Sequence, residues 1–256
     1  MMGHGEPLIM LHGLFGSLEN LGGIARLLAD SFSLHLLDLR NHGRSPHHEQ
    51  MNYHCMGADI VEYMNETGLQ KAHFLGHSMG GKVAMQVALS DGNRVNRLVV
   101  GDIAPVSYHN HHDAVFSGLQ RIDPTSLKSR QQADDLLKPY VSELAIRQFL
   151  LKNLVKTGSG GFHWRMNLPA IYNNYAQIMA GLHGDQHFAG EVLFIKGSTS
   201  DYIKPQYRDH TIQLFPNSST KVILNTGHWL HAENPKLFAA VVKRFLLNDK
   251  NASEYL

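Results

Sequence analysis

Only one cysteine, Cys55, occurs in 256 residues, so no internal disulfide can form and a reducing cytoplasm is the expected setting. Long apolar runs are missing too. Stretches such as 8–11 and 245–247 fall far short of the ~20 residues that a membrane span needs. No early segment joins basic residues, an apolar stretch and a small-residue cleavage site, so no secretory signal is expected. Charge of one sign is also lacking. Lys and Arg total 23 against 22 Asp and Glu, the formal charge is +1, and no basic run occurs, which argues against nucleic acid as a partner. The charged fraction is only 18%, yet 43% of residues are apolar, enough for a sizeable core in one large domain or two small ones. Repeats of 20–50 residues and low-complexity tracts are absent from the sequence.

Histidine is present in excess, with 18 copies. Two clusters, His47–His48 and His109-Asn-His111-His112-Asp113, raise the question of a metal. Both lie in loop-like sequence, and neither shows the His-x-x-x-His helical spacing or the cysteine partners of a closed zinc site. They are expected to be solvated loop histidines, and neither a metal nor a cofactor is expected.

Short apolar runs alternate with helical patterns. Strands are predicted at 7–11 (PLIML), 34–37, 72–76 (AHFLG), 97–101 (RLVVG), 192–196 (VLFIK) and 221–224. Between them, Ser17 caps a helix with Leu18, Leu21, Ile24, Leu27 and Leu28 on one face. A second helix carries Met56, Ile60, Tyr63 and Met64, a third runs from Met79 to about Leu89, and the last spans 234–247 with Pro235 in its first turn. This rhythm predicts an α/β fold, a mostly parallel sheet with helices on both faces. It stops between Ala104 and about Gly190. That interval has helical patterns at 133–140, 142–156 and 168–182, a flexible glycine-rich stretch at 158–161, and no convincing buried strand. A structureless loop of that length is improbable. Residues 106–189 are therefore expected to form a helical cap inserted before the penultimate strand, over the carboxyl ends of the strands, with 1–105 and 190–256 as the core.

Three places carry chemistry. Gly76-His77-Ser78-Met79-Gly80 is a G-x-S-x-G between a strand and a helix. A serine on such a turn exposes its Oγ, small neighbours let the backbone turn tightly, and the helix start offers unpaired N–H groups to developing negative charge. The bland alternative, a glycine-rich turn with an incidental serine, is disfavoured by that setting. His12-Gly13-Leu14-Phe15-Gly16 ends the first strand, where the N–H groups of Leu14 and Met79 can face a shared oxyanion. Alone, that motif is a glycine turn as readily as a site. Asn225-Thr-Gly227-His228-Trp229 follows the last strand, where a histidine can reach back to Ser78 as general base. His231 at a helix start and His210 inside a helix are its competitors.

The chain resembles the α/β-hydrolases over nearly its whole length and, within them, the bacterial YbfF-type esterases. The resemblance is carried by HGLFGSLENLG from His12, DLRNHGRS from Asp38, GHSMGGK from Gly76, DIAPV from Asp102 and GHWLH from Gly227. It implies the α/β-hydrolase fold and cofactor-free hydrolysis of short acyl esters and acyl-CoA thioesters. The family fold begins with a β-hairpin ahead of the strand near residue 7. The first six residues are too short to supply it, so that hairpin is expected to be absent or truncated.

The orienting acid is the least regular part. Its usual place in this fold, three residues beyond the glycine after the 192–196 strand, holds Ser200, and Asp201 is one place late. Asp102, ending the 97–101 strand, also keeps the order Ser, Asp, His. The resemblance gives the acid role to the aspartate of the Asp-Ile-Ala-Pro segment, with a serine matching Ser200 nearby. Asp102 is thus expected to orient His228, with Ser200 as an extra hydrogen-bond partner of His228. Asp38 is expected to tie down the 40–45 loop. In the cap, Trp164, Arg165 and Asn167 are candidates to meet the acyl group or its headgroup, with ordinary packing an equal alternative. An acyl-CoA would call for basic residues at the cap mouth.

The expected function is a serine carboxylesterase or thioesterase whose partner is a small acyl ester or thioester, with the oligomeric state open. Dehalogenases and epoxide hydrolases of this fold need a carboxylate nucleophile, which Ser78 excludes. Cofactor-free carbon–carbon hydrolases and lyases keep Ser and His and stay as the alternative. A non-enzymatic ligand receptor is a weaker one, since it has no need of an intact Ser–Asp–His set.

Overall fold

The structure, a computed structural model, describes residues 2–158, 160–184 and 186–248. Met1 of the short N-terminal stretch and Ser159 of the glycine-rich stretch lie outside the described residues. In chain order the strands are β1 (Glu6–Leu11), β2 (Phe32–Leu37), β3 (Ala72–His77), β4 (Val95–Gly101), β5 (Leu154–Lys156), β6 (Phe162–Trp164), β7 (Val192–Gly197) and β8 (Ser218–Ile223). The α-helices are α1 (Gly22–Leu28), α2 (Tyr53–Glu66), α3 (Met79–Ser90), α4 (Asp113–Gln120), α5 (Arg130–Leu137), α6 (Leu144–Leu151), α7 (Leu168–Asn173), α8 (Tyr175–Met179), α9 (Arg208–Leu214), α10 (Leu230–Glu233) and α11 (Pro235–Leu246).

Six strands form one sheet in the order β2-β1-β3-β4-β7-β8, with every neighbouring pair parallel. Helical crossovers between successive strands impose that direction. Side-chain alternation then sends residues to opposite faces. Leu8, Met10, Leu34, Leu75 and Val99 pack with α1 and α11, whereas Ile9, Leu11, Phe74, Leu98 and Val100 pack with α2 and α3. Each such side chain contributes about 1.5–3 kcal/mol on burial, so the sheet is held from both sides.

Some boundaries differ from expectation. A 3₁₀ turn at Leu18–Leu21 precedes α1 and breaks the helical register, which leaves Leu27 41% exposed. β8 begins at Ser218, ahead of its apolar run, because it pairs only with β7 and its polar residues meet water at the sheet edge. At the other edge, Met2 bridges antiparallel to Leu34 of β2.

Residues 106–189 hold α4 to α8 and also the antiparallel hairpin β5–β6, which corrects the expectation of no strand there. α6 stops at Leu151 because the backbone N–H and Nδ2 of Asn153 both bond to Leu150 O, ahead of the extended Leu154–Lys156. The expected 168–182 helix is split at Asn174, whose Nδ2 donates to Ala170 O (2.8 Å) and Glu49 O (2.7 Å). The segment rests on the loops after β1 and β2. Asn153 Nδ2 donates to Phe15 O at 2.7 Å, and Asn167 N–H donates to Asn41 O at 2.9 Å. Among the described residues, no helix is long and apolar enough to cross a membrane.

Candidate active site

Ser78 is the single residue between β3 and α3, with φ 53° and ψ −122°. A non-glycine residue held there stores about 1–3 kcal/mol of strain. The flanking glycines explain how the turn closes. A Cβ on Gly76 would lie 2.2 Å from Gly80 O, and one on Gly80 would lie 2.4 Å from Leu11 O. The Ser78 N–H donates to Gly101 O at 2.9 Å, which ties the turn to β4.

His228 arrives on the loop after β8. Its Nδ1 is 2.8 Å from Asp102 Oδ2 and its Nε2 is 2.9 Å from Ser78 Oγ. A carboxylate only accepts, so Nδ1 carries the proton and Nε2 accepts from the serine hydroxyl. Asp102 is fully buried at φ 50°, with Oδ1 accepting the Gly197 N–H (3.1 Å) and its own N–H donating to Ile195 O (2.8 Å). Ser200 departs from expectation. Its Oγ donates to Asp102 Oδ2, not to His228, because the histidine Nδ1 already spends its proton on the same oxygen. The Asp201 carboxylate is 92% exposed and 3.4 Å from Lys204 Nζ. His210 bonds to Leu182 O, and His231 lies buried against the His77 ring.

Two residues around His228 were not anticipated. Tyr202 stacks on its ring at 4.0 Å and 21°, and His77 donates from Nε2 to His228 O at 2.7 Å. Burial pushes His77 well below the ordinary imidazole value and His231 down to about 4, so both are neutral near pH 7.

The loop after β1 is fixed from several sides. Phe15, at φ 60°, gives its N–H to His42 Nε2 (3.1 Å) and takes Asn153 Nδ2 on its carbonyl (2.7 Å). Leu14 lines the same cavity as Ser78, and the Met79 N–H, first in α3, has no acceptor within its helix. Burial lowers His12 to about 4 and His42 to about 3, which keeps both rings as neutral acceptors. His12 Nε2 takes the Leu39 N–H at 3.0 Å. Asp38 ties the neighbouring loop, accepting the N–H groups of Leu18 (2.7 Å) and Arg44 (2.9 Å).

Ser78 and His228 open into a cavity of about 660 Å³. Its walls include Phe15, Val115, Ile146, Phe149, Leu150 and Trp229, and its charged lining residues are Glu19, Lys152 and Glu233. His111 and His112 also line it; His111 is an exposed loop residue, as expected, whereas His112 is half-buried, which corrects its reading as a solvated one. His111 Nε2 meets Tyr202 OH at 2.6 Å, and His112 Nδ1 meets Tyr175 OH at 2.7 Å. Trp164, Arg165 and Asn167 do not line the cavity. Trp164, turned inward by the hairpin, packs on the apolar core, and Arg165 Nη1 reaches Glu19 Oε1 at 3.0 Å. Asn167 caps α7 through the Ala170 N–H (3.3 Å). The wall comes from α6, whose Ile146, Phe149 and Leu150 show the i, i+3, i+4 spacing of one helix face. A separate groove of about 580 Å³ beside Arg40 and Tyr63 contains none of these groups. Among the described residues, no group of three His, Cys, Asp or Glu is placed to hold a metal.

A serine on a strand–turn–helix elbow, hydrogen-bonded to a histidine that an aspartate orients, has the arrangement of a serine hydrolase. The α/β-hydrolase fold family matches residues 6–235, and the chain belongs to that family. It is 38% identical over 242 residues to esterase YbfF of Escherichia coli (strain K12), covering 94% of this chain and 93% of that protein. It is also 38% identical over 252 residues to the sn-1-specific diacylglycerol lipase ABHD11 of Danio rerio, covering 95% and 79%. Among solved structures, a marine microorganism esterase matches with a TM-score of 0.93 at 38% identity, covering 95% of this chain and 97% of that one. The chain is a carboxylic ester hydrolase.

Proposed function

We propose that this enzyme cleaves esters with apolar acyl chains through an acyl-enzyme on Ser78. The observation that carries the reading is the unbroken path from Ser78 Oγ to His228 Nε2 (2.9 Å) and from His228 Nδ1 to Asp102 Oδ2 (2.8 Å), opening on the apolar cavity. His228 takes the hydroxyl proton as Oγ attacks the carbonyl carbon, and the Leu14 and Met79 N–H groups hold the oxyanion. Asp102 keeps the imidazole in its tautomer and faces the imidazolium that forms. Ser200 and Gly197 hold the carboxylate in place. Collapse of the intermediate expels the alcohol with the proton from His228. Water, deprotonated by His228, then attacks the acyl carbonyl, and Ser78 leaves with that proton.

Residues 106–189 act as the cap that selects the acyl chain, over a catalytic core of 1–105 and 190–256. One lining cation, Lys152, against Glu19 and Glu233 favours an uncharged leaving alcohol over the phosphates of coenzyme A. A neutral thiol ester suits the same chemistry. The relatives named as an esterase and a diacylglycerol lipase fit this reading. With Cys55 alone, a reducing cytoplasm suits the protein. The test is fluorophosphonate labelling of wild type and Ser78→Ala, then turnover of p-nitrophenyl esters, acyl-CoA and a carbon–carbon cleavage substrate. Labelling and ester turnover confined to wild type are expected, and a folded, active Ser78→Ala enzyme would end the proposal.

A further inference from the structure

Lys82 lies on α3, one turn beyond Ser78, and is 1% exposed. The polar contacts of its Nζ are two carbonyls, Val106 O at 2.7 Å and Ala180 O at 2.6 Å. The rings of Tyr53 and Tyr108 face it at 5.4 and 4.8 Å. Burial lowers the ammonium to about 7. A buried cation without a carboxylate is costly to keep, and nothing in the Ser78 chemistry uses it.

The two carbonyls share a place in the chain. Val106 opens the 106–189 segment and Ala180 stands near its end, so one ammonium grips both strands that join the segment to the sheet. Those connectors run side by side, with the Tyr108 N–H on Met179 O (2.9 Å), the Leu182 N–H on Pro105 O (2.9 Å) and the Gly181 N–H on Ser107 Oγ (2.8 Å). From α2, Tyr53 OH adds a bond to Ile178 O at 2.5 Å.

We infer that Lys82 is a positioning residue that sets the height of the acyl wall over Ser78, and thereby the acyl-chain preference. The inference rests on the reading of 106–189 as a cap over a Ser78 esterase site. The wall residues Val115, Ile146 and Phe149 ride on α4 and α6, which join the sheet through these connectors and also rest on the loops after β1 and β2 and, through the Phe149–Trp229 ring pair at 5.9 Å, on the loop after β8. Shifting either connector along α3 breaks a charge-assisted bond, so the ammonium fixes both at once. A short acyl group needs the elbow and its N–H donors, whereas a long one also needs the wall.

The test compares Lys82→Met, which keeps length without donors, and Lys82→Gln, whose amide NH₂ can still reach carbonyls, on p-nitrophenyl acetate and decanoate. Acetate kcat and fluorophosphonate labelling are expected to stay within about threefold of wild type, while decanoate KM rises about tenfold in Lys82→Met and recovers in Lys82→Gln. Amide exchange at 105–108 and 178–182 should rise in Lys82→Met. A folded Lys82→Met enzyme with unchanged decanoate KM, or with equal losses on both esters, overturns the positioning role. Wild-type protein that neither labels nor turns over acetate overturns the esterase reading instead. If Lys82→Met does not fold, Tyr53→Phe carries the test by freeing Ile178 O from α2. Its decanoate KM rises if the connectors set the wall, and an unchanged value refutes the proposal.

Discussion

Lowering the pH from 7 to 5 should remove most of this protein's stability, through histidines that serve as neutral backbone acceptors or pack in the interior. Burial holds His12 and His231 at about 4 and His42 at about 3, against an ordinary value of 6.5. Since the folded values are lowered, the unfolded chain takes up these protons first. Stability is therefore full above pH 6.5 and declines as pH falls below it. Each such proton is worth ~1.4 kcal/mol per pH unit, so by pH 5 each histidine removes about 2 kcal/mol and the three together about 6. His77, lowered for the same reason, adds to the loss, while half-buried His112 adds less than its shift to about 3 would suggest. A domain is stable by about 5–15 kcal/mol, so the loss rivals the whole. Urea unfolding followed by tryptophan fluorescence at pH 7, 6 and 5 measures it. A single variant localises it. His42→Gln, which can still accept the Phe15 N–H, should flatten the slope by about one proton. A urea midpoint unchanged between pH 7 and 5 would refute the account of these rings as buried and neutral.

Other outcomes concern the site. Asp102→Asn should lose at least about 10²-fold in kcat by favouring the wrong histidine tautomer, Ser200→Ala about tenfold, and the exposed Asp201→Asn no more than about threefold. Steady-state kinetics with a thermal unfolding control decide this, and a crippled Asp201 variant beside an intact Asp102 one reverses the assignment. Phe149→Ala should lower kcat/KM for decanoate about tenfold while sparing acetate, whereas Trp164→Ala should lower Tm without changing the ratio of the two esters. Loss of chain-length preference at Trp164 would mean that the wall lies elsewhere. Asn153→Ala releases Phe15 O and the loop proposed to present the Leu14 N–H, so acetate kcat should drop about tenfold at constant KM. Full kcat in that variant would show that the loop is held without it.

What was legible in the sequence is what neighbouring residues decide among themselves. Buried strands read as apolar runs between turn residues, and all six strands of the main sheet were found that way. The Ser78 elbow was legible because Gly76 and Gly80 leave no room for a Cβ, a requirement visible as G-x-S-x-G. The place of His228 followed from its loop after the last strand, and Asp102 from order and resemblance. Contacts across long separations were not legible. Ser200 lies close to His228 along the fold, yet its hydroxyl turns to Asp102, because the protonated Nδ1 of His228 offers no acceptor and the carboxylate oxygen does. Trp164 and Arg165 looked like ligand residues by type, but the unpredicted β5–β6 hairpin turned one inward and paired the other with Glu19. The wall on α6 did leave a helical spacing in the sequence, but nothing in that spacing says which partner the face meets. Lys82 is an ordinary helix residue by composition, and only the fold brings Val106 O and Ala180 O to its Nζ. Propensity and steric exclusion act over a few residues, whereas the partner of a buried polar group is set by packing between segments tens of residues apart.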